Sequence, residues 1–267
     1  MTIGIDFAAR SDIGLVRASN QDSAFAGPHV LVVADGMGGA AGGDIASSIA
    51  VTHLAALESE TVDPDTAVDS LKEAIAKAHE EIMERAHDDP DLSGLGTTVT
   101  ALLRSDTTMA MAHVGDSRAY LLRNKKLEQV TTDHSFVQHL VDTGRLSAAD
   151  AENHPRRSML LRVLGDIDAE VPVDISTREI VPGDRWLLCS DGLTSVVSKS
   201  AIHKTLKRSV VPADAADELV ALALAAGGPD NITCVVADIV DLESIPEHPG
   251  RNTSMHTVGA AADTSTP

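Results

Sequence analysis

The sequence predicts an α+β fold with antiparallel sheets, and three observations predict it. Helical patterns cluster between groups of strands rather than alternating with them. The connections between successive strand-like segments are short, which favours antiparallel neighbours. Several short apolar runs meet an aspartate at one end, as in Val30-Leu31-Val32-Val33-Ala34-Asp35-Gly36 and Trp186-Leu187-Leu188-Cys189-Ser190-Asp191-Gly192. Runs of this length and content read as buried strands.

Taken in order, residues 1–34 read as strand, turn and strand. Asp44 to Leu57 is Ala-rich, with Ile45 and Ile49 on one face, and reads as a helix. In the next helix Asp63 can cap, Pro64 takes the first helical position, and Val68, Leu71, Ile75, Ala78 and Ile82 form one apolar stripe. Strand patterns follow at Thr97–Leu103, Thr107–Val114, Arg118–Leu122 and Leu127–Thr131. Ser135 to Asp142 reads as a helix stopped by Gly144. Arg145 to Arg157 is polar and irregular, with a capping-like Ser147-Ala148-Ala149-Asp150. A strand returns at Asp184–Cys189. A helix over Pro212–Ala226 ends at Gly227-Gly228, and a strand over Ile232–Val240 closes the globular part. Beyond it Pro, Ser, Thr, Ala and Gly dominate without periodicity. The expected division is therefore a folded domain over 1–242 and a disordered tail or linker over 243–267.

Composition narrows the function classes. The 267 residues suffice for one large core or two small ones. Aromatic residues make up only 2%, so Val, Leu, Ile and Ala must build that core. The formal net charge of −19 argues against nucleic acid, whose phosphates need a basic surface, and against an anionic membrane surface. No apolar stretch has the length of a membrane span and no signal-peptide pattern opens the chain. Cys189 and Cys234 both fall inside expected strands and support no disulfide framework. Together these features predict a cytoplasmic protein. Eleven histidines are present, but none lies in a Cys/His cluster with zinc-ligand spacing, so His113, His134 and His139 read as ordinary.

The aspartates carry the chemistry. Asp35 and Asp191 close apolar runs, Asp116 follows Met111-Ala112-His113-Val114-Gly115, and Asp230 opens Asp230-Asn231-Ile232-Thr233-Cys234-Val235-Val236. A single Asp-Gly after a strand reads as a hairpin turn, since glycine tolerates positive φ. That reading accounts for Gly36 and Gly192. It does not explain why each of these strands meets a carboxylate. Carboxylates at buried strand ends are costly unless a positive group neutralises them. A hard divalent cation with oxygen ligands is a common neutraliser, so the pattern predicts a metal-dependent enzyme.

The aspartates also have companions in a fixed order: Arg17-Ala18-Ser19-Asn20-Gln21-Asp22-Ser23, Asp35-Gly36-Met37-Gly38-Gly39, Gly96-Thr97-Thr98, Gly115-Asp116-Ser117-Arg118, Leu161-Arg162-Val163-Leu164-Gly165, Ser190-Asp191-Gly192-Leu193 and Asp230-Asn231. The ordered set resembles the metal-dependent protein phosphatases of the protein phosphatase 2C type, its compact bacterial members in particular, over about residues 3–240. The resemblance implies a central sandwich of two antiparallel sheets flanked by helices on both sides. It implies hydrolysis of phosphoserine and phosphothreonine in proteins with two Mn²⁺ or Mg²⁺ ions. By match to the family motifs, Asp35 bridges both ions and the Gly36 carbonyl binds one. Asp191 and Asp230 complete the other, Asp22 acts through metal-bound water, and Arg17 holds the substrate phosphate.

The chemistry is coherent without the family. Paired ions clamp an in-line displacement and lower the pKa of a shared water, so a hydroxide attacks directly and no serine or cysteine nucleophile is required. The arginine fork matches phosphate oxygens; its plainer reading is a surface ion pair. Where eukaryotic members carry a histidine after the Asp-Gly pair, this chain has Met37, which cannot protonate a leaving group. Asp116 resembles a ligand of a third ion, shared with Asp191. The alternative is a strand-end turn with Arg118 as ion partner. The segment at about 145–160 resembles the family's flap, from which Ser158 is expected to approach that third site. The expected partners are phosphorylated proteins, a cognate Ser/Thr protein kinase among them, acted on in signalling by a monomer. A competing class is a catalytically inactive metal-binding or scaffold member of the same fold, which loss of Asp35, Asp191 or Asp230 would favour. A two-metal phosphodiesterase or nuclease is another, against which the acidic charge speaks.

Overall fold

The computed structural model describes residues 2–38, 42–59, 63–151, 154–165, 171–243 and 254–263. The chain opens with strands β1 (Ile3–Asp12), β2 (Asp22–Ala26) and β3 (Val30–Met37), followed by helices α1 (Gly43–Ala55) and α2 (Ala67–Asp88). Strands β4 (Gly96–Thr97), β5 (Val99–Ser105), β6 (Thr108–Val114), β7 (Arg118–Arg123) and β8 (Lys126–Gln129) come next, then α3 (Phe136–Asp142) and α4 (Ala148–Ala151). The second half runs β9 (Asp174–Glu179), β10 (Arg185–Cys189), α5 (Asp191–Thr194), α6 (Lys199–Arg208), α7 (Pro212–Ala225), β11 (Ile232–Asp241), β12 (His256–Gly259) and α8 (Ala260–Asp263).

The strands form two sheets, each antiparallel throughout. One has the order β1-β11-β10-β7-β8. The other has the order β12-β2-β3-β5-β6-β9, with β4 also paired to β3. Side-chain alternation along the central strands explains the layering. In β3, Leu31 and Val33 face the opposite sheet, while Val30, Val32 and Ala34 face α1 and α2. In β11, Val235, Ala237 and Ile239 enter the inter-sheet core, while Ile232, Cys234 and Val236 pack under α5, α6 and α7. These strands are buried on both faces, so their sequences read as continuous apolar runs. The result is the expected sandwich with helices on both sides.

Most elements lie where the patterns place them, and the differences have physical causes. Helix α2 begins at Ala67; Pro64 sits in the preceding turn, where the Thr66 and Ala67 N–H groups donate to the Asp63 carbonyl. Helix α6 shows only Ile202, Thr205 and Leu206 to the core, too sparse a stripe to read from sequence. Strand β9 is a polar edge strand that never alternates cleanly. The tail is the main correction. Residues 243–267 are expected to be disordered or a linker, yet residues 254–263 pack on the body. Strand β12 pairs with β2, His256 opposite Ala26 and Gly259 opposite Ser23. Ala260 and Ala261 are buried, and the Ala261 N–H donates to Ser23 Oγ at 3.1 Å. Strand addition is driven by main-chain hydrogen bonding to an otherwise open edge, which needs no apolar periodicity. The rest of the tail beyond Glu243, and flap residues 152 and 153, lie outside the described residues.

Candidate metal centre

Strand direction gathers the aspartates. Because neighbours are antiparallel, the end of one strand lies beside the start of the next. In the first sheet the ends of β1 and β10 adjoin the starts of β11 and β7: Asp12 lies opposite Ile232, and Cys189 lies opposite both Cys234 and Arg118. In the second sheet Asp22 opens β2 directly opposite Asp35 on β3. Hydroxyl contacts join the two sheet ends. Ser190 donates to Asp22 Oδ2 at 2.7 Å, and the hydroxyls of Thr98 and Ser117 lie 2.8 Å apart. Asp22, Asp35, Asp116, Asp191 and Asp230, remote in sequence, therefore face one cleft.

Polar groups hold the main chain around the site. The Asp35 N–H donates to Thr98 Oγ1 at 3.0 Å, and the Asp35 carbonyl accepts from Thr97 Oγ1 and the Thr98 N–H. Asn231 clamps the loop that carries Arg17. Its Nδ2 donates to the Ile13 and Ser19 carbonyls, and its Oδ1 accepts from the Gln21 N–H. The two Asp-Gly glycines have a role other than the expected turn. Neither Gly36 nor Gly192 has positive φ among the described residues. Both are needed for space: a Cβ at Gly36 would lie 1.9 Å from the Gly43 carbonyl oxygen, and one at Gly192 would lie 1.8 Å from that of Asn231. The glycines let the backbone beside Asp35 and Asp191 pass in contact with neighbouring segments.

Electrostatics marks this cleft as a site short of positive charge. Burial, followed by repulsion from Asp22, Asp191, Asp116 and Asp230, raises the Asp35 carboxyl well above its ordinary value. Burial first, then the Asp191 charge, pushes Asp116 up to about 8. Burial likewise pushes Asp22 up to about 7, against the opposing hydrogen bonds of Ser190 and Thr233. Burial and the Asp230 charge push Asp191 up to about 6, and it sits within hydrogen-bonding reach of the Asp35 carboxyl. Asp22 Oδ1 is buried without a hydrogen-bond partner. Acids crowded in this way take up protons unless a cation joins them. The donor set is all oxygen, which suits Mg²⁺ or Mn²⁺. Among the described residues no three or more His, Cys, Asp or Glu side chains form a ready-made ion cage. The residues present fit the expected ions.

Arg118 pairs directly with Asp133 through both its Nε and Nη2, at 2.6 Å for the closest contact, and acts on Asp116 through its charge. Ser158 is exposed and, among the described residues, makes no hydrogen bond to the aspartates. Arg17 lies at the rim, about half exposed, with Nη2 2.7 Å from Asp230 Oδ2. Met37 is exposed beside Gly36 and offers no proton. The supporting groups Thr98, Ser117, Ser190 and Asn231 carry no role in the sequence reading. Their signal was adjacency to an aspartate or a Gly-Thr-Thr step, which does not say what a hydroxyl or amide will touch.

Comparison with known proteins places the family and the fold. The family model described as protein phosphatase 2C matches residues 16–225. The chain is 45% identical over 243 residues to the serine/threonine protein phosphatase PstP of Mycobacterium tuberculosis, covering 91% of this chain and 46% of that protein. It thus spans about half the length of that relative. It is 39% identical to the serine/threonine phosphatase stp of Listeria monocytogenes, covering 86% of this chain and 94% of the other. Among solved structures, Mycobacterium tuberculosis PstP superposes with a TM-score of 0.85 at 44% identity, covering 89% of this chain and all of the other. The catalytic domain of PstP, solved with two manganese ions, superposes with a TM-score of 0.83 at 43% identity, covering 90% of this chain. On the match over residues 16–225 and the shared architecture, the chain belongs to the protein phosphatase 2C family.

Proposed function

We propose that the chain is a metal-dependent protein serine/threonine phosphatase that hydrolyses phosphoserine and phosphothreonine. The observation that carries the reading is the cleft of mutually repelling aspartates. Burial raises Asp35, Asp116 and Asp22, and the charge of Asp191 raises all three further, in a chain of this family. Two Mn²⁺ or Mg²⁺ ions would be held there. Asp35 would be shared between them, the Gly36 carbonyl would serve one, and Asp191 and Asp230 would serve the other. Asp116, with Asp191, would hold a third, and Ser158 would reach it only if the flap closed. When bound, such ions neutralise the carboxylates and supply an activated water. The protein's own groups do the rest. Thr97 and Thr98 keep the Asp35 main chain in place, Ser190 orients Asp22, and Asn231 fixes the Arg17 loop. The Arg17 guanidinium offers a planar fork to phosphate oxygens once it leaves Asp230. Met37 gives no proton to the leaving alkoxide, so that proton comes from water or another group.

Among the described residues no helix is long and apolar enough to cross a membrane. The net charge of −19 supports protein rather than nucleic-acid substrates. The reading extends to a cytoplasmic monomer acting on phosphorylated proteins, a cognate Ser/Thr kinase among them. An inactive scaffold is disfavoured because Asp35, Asp191 and Asp230 are all present and share one cleft.

The test is hydrolysis of para-nitrophenyl phosphate with Mn²⁺, then of a phosphothreonine peptide, then of single-stranded DNA. Activity on the first two, abolished by excess EDTA and nearly abolished in Asp35→Asn, is expected. Full activity in excess EDTA would end the two-metal reading, and DNA hydrolysis without peptide dephosphorylation would move the protein to another class.

A further inference from the structure

Behind the metal centre stands a side chain that the reaction does not use. His134 is almost fully buried between the Gly115–Ser117 turn, the flap and β9. Its contacts run in three directions. Toward the turn, the Gly115 N–H donates to His134 Nδ1 at 3.1 Å, and the His134 N–H donates to the Gly115 carbonyl at 2.7 Å. Toward the flap, the His134 carbonyl accepts from the Leu161 N–H at 2.8 Å, and Ser135 bridges to Leu160. Toward β9, Nε2 lies 3.2 Å from Asp174 Oδ2, and Arg162 Nη1 donates to Asp174 Oδ1 at 3.1 Å.

These contacts assign the ring. A backbone N–H can only donate, so Nδ1 is the bare nitrogen and Nε2 carries the proton toward Asp174. Arg162 Nη1, 3.3 Å from Nε2, is then anchored by Asp174 and not by the ring.

The turn that His134 grips has little freedom. Gly115 has φ +106°, and a Cβ there would lie 2.5 Å from Thr98 Cγ2. Thr98 is the residue whose hydroxyl holds the Asp35 N–H and meets Ser117 Oγ. A shift of the turn therefore reaches both Asp116 and Asp35.

We propose that His134 is a positioning residue of this site: its Nδ1 holds the Gly115 N–H, and so keeps the Asp116 turn in register with Thr98 and Asp35, while its main chain carries the returning limb of the flap. The kinetic part rests on the phosphatase reading; the placement of the turn does not.

Two variants separate the contacts. In His134→Asn the amide oxygen can stand where Nδ1 was and keep the Gly115 bond. In His134→Gln the amide stands where Nε2 was, keeping Asp174 and leaving the Gly115 N–H bare. Amide hydrogen exchange at Gly115, followed by NMR in metal-free protein, reads the contact directly. Slow exchange is expected in wild type and His134→Asn, and fast exchange in His134→Gln. With para-nitrophenyl phosphate at saturating Mn²⁺, His134→Gln should lose roughly tenfold or more in kcat with KM little changed, as small misplacements near reacting groups do. His134→Asn should stay within about threefold of wild type on the same measure. Wild-type kcat in His134→Gln, or equal losses in both variants, would overturn the proposal. So would an unprotected Gly115 amide in the wild-type chain, a result that stands even if both variants fail to fold. An inactive wild type with a protected Gly115 would instead sink the phosphatase reading and leave the placement of the turn intact.

Discussion

Gly192→Ala is the substitution with the most information in it. The glycine follows Asp191 directly, and its nearest non-neighbour atom is the carbonyl oxygen of Asn231, the residue after Asp230. An added Cβ would stand 1.8 Å from that oxygen, whereas ordinary contact begins at 3.4 Å. Neither partner is a flexible side chain, so the two backbones must part by about 1.6 Å in a close-packed interior. Overpacking of this kind costs about 1–3 kcal/mol, which for a chain of this length lowers Tm by roughly 2–12 °C. The catalytic effect should be larger, because the displaced segments carry Asp191 and Asp230. A misplacement of about 1 Å near reacting groups costs on the order of a hundredfold in rate. The assay is a thermal melt beside kcat for para-nitrophenyl phosphate at saturating Mn²⁺. Gly94→Ala is the comparator, since a Cβ there meets nothing and only its φ of +82° is strained. A Gly192→Ala protein that melts lower yet keeps kcat within about threefold of wild type would refute the claim that this contact sets the spacing of the two carboxylates.

Three further outcomes are expected. Arg17→Ala should raise KM for aryl phosphates and leave Mn²⁺ affinity undiminished, with a stability change of about 0–1 kcal/mol because its pair with Asp230 is partly exposed; calorimetry showing lost metal would assign Arg17 to metal binding instead. Truncation after Glu243 should lower Tm by more than about 3 °C, because it removes the pairing of β12 with β2 and the buried Ala260 and Ala261; an unchanged melt would mean that the strand adds nothing to the body. Burial pushes His113 down to about 4. The unfolded chain therefore binds the proton first, and this residue's contribution is lost as pH falls from about 6.5 to 4, up to about 3 kcal/mol. Tm measured across that window should fall less steeply in His113→Asn than in wild type, and parallel curves would count against a neutral buried His113.

Much of this fold was legible because its signals are local. The stripe of Leu71, Ile75, Ala78 and Ile82 announces α2, and the apolar runs of β3, β10 and β11 announce strands buried on both faces. The aspartates' need for a neutralising partner was legible for a similar reason: a carboxylate at the end of such a run has no inexpensive place in a core, whatever lies around it. Elements whose stability comes from elsewhere were not legible. Polar β9 and the tail strand β12 exist because an open sheet edge accepts their main chains, and α6 because a few side chains meet a core built by other segments.

The same division runs through the site. The residues alone name the aspartates and their order. Only the tertiary structure decides that Arg118 takes Asp133 and not Asp116, and that Gly36 and Gly192 serve close approach and not a turn. It alone places a buried histidine, ordinary in sequence, with a hand on the Gly115 peptide. Hydrogen bonds and contacts across separations of tens to hundreds of residues depend on which strand ends the sheets bring together. A local pattern records the need for a partner, and the packing of distant segments determines which partner meets it.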